Sequence, residues 1–195
     1  MSGLIVYCPR CATPVTSREV GGRERAVCGA CSYIHFERHN IGIGGVVKRR
    51  GKILLIRRAH DPGKGRWTIP GGYVEADEVF TTTIAREVKE EAGIDTVPDG
   101  VVGLRHRVDG GGSDLYLVCL LRPVDPNQQP EPDGVEVDRA GFYSLSEMVD
   151  LPNLAQFTHA IARVALGRRR AFGLVEVPGM SGPAWEFFAP PPRTP

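Results

Sequence analysis

Hydrophobic and polar positions divide the chain into stretches of different period. Ile41 to Val47 (IGIGGVV) and Ile53 to Ile56 (ILLI) are apolar runs of strand length, and Arg50-Gly51-Lys52 between them predicts a turn. Asp61 to Gly65 is a loop by composition. The period then changes. Phe80, Ile84 and Val88 recur every four residues within Val79 to Ala92, and Gly93 follows as a stop, which predicts a helix. Val101 to Val108 and Asp114 to Arg122 have strand character and flank the turn Asp109-Gly-Gly-Gly-Ser113. Pro123 to Gly134, with four prolines, predicts a long exposed loop. Gly141 to Ser144 predicts a short strand, and Leu154 to Leu166 a helix with a stripe through Phe157, Ile161 and Val164. Strands interleaved with helices predict an α/β class. From Pro178 the chain is rich in Pro and Gly and is expected to form a tail.

Composition narrows the picture. With 195 residues, 42% hydrophobic and 24% charged, the chain has the balance of a folded protein and room for one domain plus a small module. The longest apolar run, Leu115 to Leu121, is far short of the roughly 20 residues of a membrane-spanning helix. The opening MSGLIVYCPRC has no signal-peptide pattern, so a cytoplasmic address is expected, with no membrane partner. The net charge of +1 hides a segregation: residues 1–71 carry +9, residues 72–151 carry −11 and the remainder +3. A basic segment followed by an acidic one suits a site where phosphates and metal cations meet, although two differently solvated faces would read the same.

Four of the five cysteines form two pairs, Cys8-Pro-Arg-Cys11 and Cys28-Gly-Ala-Cys31, separated by 16 residues. Each pair can offer two thiolates to one metal from a tight turn, the spacing of a structural zinc site. Two disulfides and a redox dithiol are the alternatives; a cytoplasmic address disfavours the first and the lack of a surrounding βαβ pattern the second. Residues 1–38 are too few to bury a core of their own, so zinc would supply the folding energy. Cys119, inside the run LYLVCLL, is expected to be a small buried side chain.

On the predicted helix, Glu87, Glu90 and Glu91 stand at i, i+3 and i+4, three carboxylates on one narrow arc. A solvated acidic face is the plain explanation; a hard divalent cation is the chemical one, since it needs carboxylate oxygens and keeps waters for substrate phosphates. The context favours the cation: a Gly-Gly turn precedes the helix, a glycine ends it, and Arg86 sits beside the cluster.

The whole segment resembles the Nudix box, Gly-x5-Glu-x7-Arg-Glu-U-x-Glu-Glu-x-Gly-U with U aliphatic. Gly72, Glu78, Arg86, Glu87, Val88, Glu90, Glu91, Gly93 and Ile94 fill every defined position. The resemblance implies an α/β/α sandwich around a mixed sheet, preceded here by the small zinc ribbon, with residues 1–38 as ribbon, 39–167 as Nudix domain and 168–195 as tail. It implies a hydrolase of nucleoside diphosphate derivatives that uses Mg²⁺ or Mn²⁺. Glu87, Glu90, Glu91 and the carbonyl of Gly71 would hold the catalytic cation, and Glu78 and Arg86 would form an orienting ion pair. The general base would be Glu91 or a carboxylate before Gly141, with Glu136 preferred to Asp138. A ribbon followed by this box is similar to the NADH pyrophosphatases, but their SQPWPFPxS signature is absent; the chain reads GLRHRVDGGGSDLYL from Gly103. The marker residues of ADP-ribose, dinucleoside polyphosphate and coenzyme A subgroups are missing as well.

The expected substrate is therefore a small nucleotide with a pyrophosphate bridge: ADP-ribose, a dinucleotide cofactor such as NADH or FAD, or a nucleoside triphosphate. Arg57, Arg58, Lys64 and Arg66 are candidates to hold phosphates, and Trp67, Tyr73 or Tyr116 to stack on a base. Surface charge and core packing would account for the same residues. The rival class is a non-catalytic Nudix-fold protein that binds nucleotide or nucleic acid through the ribbon. The basic N-terminal balance allows nucleic acid, but no aromatic-interleaved basic stripe supports it. A homodimer is left open.

Overall fold

The computed structural model describes residues 5–36, 39–109, 112–167, 172–174 and 188–189. Two compact units divide the chain: Met1–Asn40 with His106–Leu115, and Ile41–Arg105 with Tyr116–Pro195.

In the smaller unit, β1 (Val15–Val20) and β2 (Arg23–Cys28) pair antiparallel across Gly21 and Gly22. Little apolar surface is covered there: among the described residues, Cys8, Ala26, Val27 and Cys28 are the buried ones. The hairpin has little signature in the sequence, because its strands mix charged and small residues with no regular apolar alternation.

The larger unit is built on a seven-stranded sheet. Its strands are β3 (His39–Arg49), β4 (Lys52–Arg58), β5 (Trp67–Thr68), β6 (Gly71–Tyr73), β7 (Thr96–Asp109), β8 (Gly112–Pro123) and β9 (Val137–Tyr143). The order is β5-β4-β3-β8-β7, with β6 paired to β3 and β9 to β4. The helices are α1 (Phe80–Ala92) and α2 (Gln156–Leu166). The run ILLI shows why the sheet is covered on both faces. Leu54 and Ile56 belong to one core cluster with Ile84, Val88 and Ala92 of α1, while Ile53 and Leu55 belong to another with Ile161, Ala162 and Ala165 of α2. Successive side chains of a strand point to opposite faces, so a continuous apolar run demands a layer on each side. Each fully buried Leu or Ile contributes roughly 1.5–3 kcal/mol. The result is the α/β/α sandwich around a mixed sheet. Cys119 is buried at 1% exposure within the α1-side cluster.

Most predicted elements form, and their bounds differ for physical reasons. β9 begins four residues before the expected Gly141, at the buried Val137, because pairing with β4 carries the strand through the exposed Asp138 and Arg139 that interrupt the apolar pattern. β7 begins at Thr96 and contains Pro98, which an edge strand tolerates. The short β5 and β6 are too brief to show a period. Phe172 bridges to Val101, and Gly173–Leu174 (β10) pair with Phe188–Ala189 (β11). The rest of the expected tail, including Arg168 to Arg170, lies outside the described residues. No described helix is long and apolar enough to cross a membrane.

Candidate active site

The acidic helix follows a tight approach of backbone to backbone. Gly71 pairs with Gly44 on β3 at φ +155°, and a Cβ there would run into the Ile43 carbonyl oxygen and lie 2.8 Å from the Gly44 Cα. This close passage aims the Gly71 N–H at α1, where it donates to Glu91 Oε2 at 2.8 Å. Gly71→Ala is therefore expected to destabilise the fold by several kcal/mol and to abolish activity, measurable by melting and by turnover. Wild-type behaviour would show that the strand can move aside.

The three helix carboxylates are not equivalent, which corrects the picture of one acidic arc. Ile84, Val88 and Glu91 stand at i, i+4 and i+7 on the core-facing stripe, so Glu91 is only 6% exposed. Burial pushes its pKa up to about 8; the Gly71 N–H opposes this, and the charges of Glu87 and Glu136 add to it. Glu87 is also raised, first by burial, and its carboxylate lies against Gly72. Glu90 turns outward, 58% exposed, and pairs with Arg86 at 2.8 Å. Arg86 also reaches Glu78 at 3.0 Å and Glu87 at 3.0 Å, so one guanidinium ties the loop before α1 to the helix. Hydrogen bonding from Arg86 holds the Glu78 carboxyl below its ordinary range.

Across from the helix, Glu136 and Arg58 both act electrostatically on Glu91. The segment carrying Glu136 is fixed by Asp133, whose Oδ1 accepts the N–H groups of Val135, Glu136 and Val137 at 3.1, 3.1 and 2.8 Å. Asp138 is differently placed. Arg57 donates to both its oxygens, each at 2.8 Å, and holds it below its ordinary pKa. Arg57 is thus tied to Asp138, and Asp138 is a poor base. Nothing in sequence couples these residues, which are 81 positions apart. Trp67 also departs from expectation: it is 3% exposed and packs edge-on to Tyr143, with ring centroids 5.2 Å apart, so it is a core residue and not a stacking platform. Tyr116 packs on Phe157. Arg58 donates to the Pro62 carbonyl at 2.9 Å, and Arg66 and Lys64 are exposed on the loop before β5. Tyr73 is 65% exposed on β6.

Two metal sites are implied, and the residues fit both. The Sγ atoms of Cys8, Cys11, Cys28 and Cys31 all lie within 4.8 Å of one another, with Cys8–Cys31 and Cys11–Cys28 at 3.5 Å. Four sulfurs at 2.3 Å from a tetrahedral zinc stand about 3.8 Å apart. The four cysteines are free thiols, since a disulfide bond is about 2.05 Å long. On α1, two desolvated carboxylates facing a third acidic residue are hard oxygen donors short of positive charge, as a divalent cation requires. Among the described residues, the three helix carboxylates do not converge as the thiols do; Glu90 would have to leave Arg86.

An α/β/α sandwich whose Gly-Gly strand feeds an acidic helix at the edge of a basic loop defines the class of protein. Residues 38–164 match the family profile described as NUDIX domain and residues 6–37 the one described as Nudix N-terminal, a zinc-ribbon profile. The chain belongs to the Nudix family. It is 34% identical over 120 residues to Nudix hydrolase 8 of Arabidopsis thaliana, covering 58% of this chain and 32% of that protein. It is 31% identical over 121 residues to the ADP-ribose pyrophosphatase of Methanocaldococcus jannaschii, covering 61% and 68%. The alignments with the first plant relatives span about a third to two fifths of those proteins' length. In fold, the chain is similar to a Nudix hydrolase from Nitrosomonas europaea, with a TM-score of 0.69, 24% identity, and 84% and 92% of the two chains covered.

Proposed function

We propose that this protein is a divalent-metal-dependent pyrophosphohydrolase that cleaves the diphosphate linkage of a small nucleotide derivative. The observation that carries this reading is the buried Glu91 carboxylate, held by the Gly71 N–H and facing Glu136 and Arg58. Helix formation gives no reason to place a carboxylate on a core stripe. Glu87, Glu90, Glu91 and the Gly71 carbonyl hold Mg²⁺ or Mn²⁺, which when bound supplies Lewis-acid stabilisation of phosphoryl oxygens and acidifies water. Glu136 accepts the proton of the attacking water, because Asp138 is engaged by Arg57. Arg58 and Arg66 hold phosphate oxygens, Tyr73 lies open to a base, and the Glu78–Arg86 pair keeps the loop and helix in place.

In this reading residues 1–38 are a structural zinc ribbon, 39–167 the catalytic domain and 168–195 a tail. Zinc on four thiolates goes with a reducing, cytoplasmic setting. The substrate is ADP-ribose, a dinucleotide cofactor or a nucleoside triphosphate; the similarity to an ADP-ribose pyrophosphatase supports the first. The test is hydrolysis of a nucleotide panel in ¹⁸O water with Mg²⁺ or Mn²⁺. Label is expected on a phosphate product, with turnover abolished by EDTA. Label on a sugar carbon, or turnover indifferent to EDTA, would reject the reading.

A further inference from the structure

The β3–β4 turn carries three cations within four residues, Arg49, Arg50 and Lys52, and they do not form a simple solvated face. They line a cavity of about 520 Å³, with Asn127 and Gln129 of the proline-rich loop on one side and Phe142 of β9 on the other. No Asp or Glu is among the described residues lining it. The Arg49 guanidinium lies 3.5 Å from the centroid of the Phe142 ring, and its Nη1 donates to the Gln128 carbonyl at 2.6 Å. Arg50 Nη2 donates to the Asn127 side-chain oxygen at 2.9 Å. Both acceptors are neutral. Lys52 meets Glu147 at 2.6 Å, so the two guanidiniums carry the positive character of the cavity. Burial lowers the Arg49 pKa, and repulsion from Arg50 lowers it further, against a weaker pull from Asp125.

Two guanidiniums held together against an aromatic wall and neutral acceptors are arranged for an anion from outside the chain. We propose that this cavity binds a small phosphate-bearing molecule, at a site separate from the carboxylate helix. The planar forks of Arg49 and Arg50 match phosphate oxygens, and the Asn127 side-chain amide adds a donor, while Gln129 braces the loop by donating to the Asn127 carbonyl at 2.9 Å. Pro126, Pro130 and Ala140 provide apolar walls for the body of the molecule. The volume falls within the roughly 300–1,000 Å³ usual for small-molecule sites. Along β4, Lys52 stands six residues from Arg58, about 20 Å at the rise of a strand, so one small ligand does not occupy both places.

The test uses the full chain with zinc retained and no added divalent cation, followed by ¹⁵N–¹H amide shifts. Inorganic phosphate, adenosine monophosphate and adenosine are the probes. Shifts are expected at 49–52, 127–129 and 140–142 with one or both phosphate-bearing probes and not with adenosine. Response to inorganic phosphate as strong as to the nucleotide would identify free phosphate as sufficient; response to the nucleotide alone would identify an organic phosphate. The double variant Arg49→Gln/Arg50→Gln should weaken binding at least about tenfold, the loss of one charge-assisted contact, with metal-dependent turnover unchanged. Arg50→Glu, at an exposed position, should weaken it comparably without lowering the melting temperature, which separates binding from folding. Equal affinity in the variants, the same shifts with adenosine, or shifts confined to Arg58 and Gly71–Glu91 would overturn the proposal. A chain without hydrolase activity would leave the binding outcomes unaltered.

Discussion

Glu91→Gln is expected to yield a folded protein whose turnover falls about a thousandfold or more. The substitution preserves volume at a 6% exposed position, and a glutamine oxygen can still accept the Gly71 N–H. What it removes is the charge. With its pKa pushed up to about 8, mainly by burial, Glu91 is largely protonated at neutral pH in the metal-free protein, so a neutral amide should leave the metal-free melting temperature unchanged or higher. The sign of the pH dependence follows. A carboxyl raised above its ordinary 4.5 binds more protons folded than unfolded, so between pH 4.5 and about 8 metal-free stability falls as pH rises. That slope should weaken in Glu91→Gln. Cation binding must displace the proton, so Mg²⁺ or Mn²⁺ affinity should climb with pH towards 8. Melting curves in EDTA at pH 5, 7 and 9, with kinetics on the same samples, check both halves. Native turnover by the folded variant would remove Glu91 from the chemistry.

Cys28→Ser is expected to reduce bound zinc to a small fraction of one ion per chain and to unfold residues 5–36 as a unit. Cys28 is 1% exposed, and its N–H and C=O are both engaged, by Tyr33 and Ser32. With so few buried apolar residues beside it, the β1–β2 hairpin has no core to fall back on. Metal binding by such modules contributes about 10–16 kcal/mol, more than their remaining contacts can replace. Zinc analysis, thiol alkylation and limited proteolysis read this directly: early cuts within 5–36 are expected while the 41–105 segment resists. A variant that keeps its zinc and its protease resistance would show that three thiolates suffice.

The sheet and both helices were legible because burial on two faces leaves plain signals: ILLI for a strand covered twice, and Phe80, Ile84 and Val88 for a helix packed once. The box residues were legible as a spacing. What spacing cannot convey is which carboxylate turns inward. Glu91 continues the stripe of Ile84 and Val88, a signal present in the sequence but carried by a residue type that ordinarily marks the solvent face. Arg57 and Trp67 make contacts that no local spacing conveys. Their partners, Asp138 and Tyr143, arrive from β9, and long-range pairing has no local pattern. The cavity at Arg49 escaped for the same reason, being assembled from three separate stretches of chain.

Asp133 has a consequence for how this protein can vary. By taking the amides of Val135, Glu136 and Val137 onto one carboxylate, it makes the support of Glu136 local, within a span of five residues. The stretch between Val124 and Asn127 is thereby relieved of aiming the base. Doubling a loop adds only about 0.6 kcal/mol of closure cost, so an insertion there should leave hydrolysis intact even where it disturbs the cavity at Arg50 and Asn127. Loop length in that interval is then uncoupled from hydrolysis, and an insertion there should spare turnover while loosening the hold of Arg50 on Asn127, so the two places can be altered one at a time.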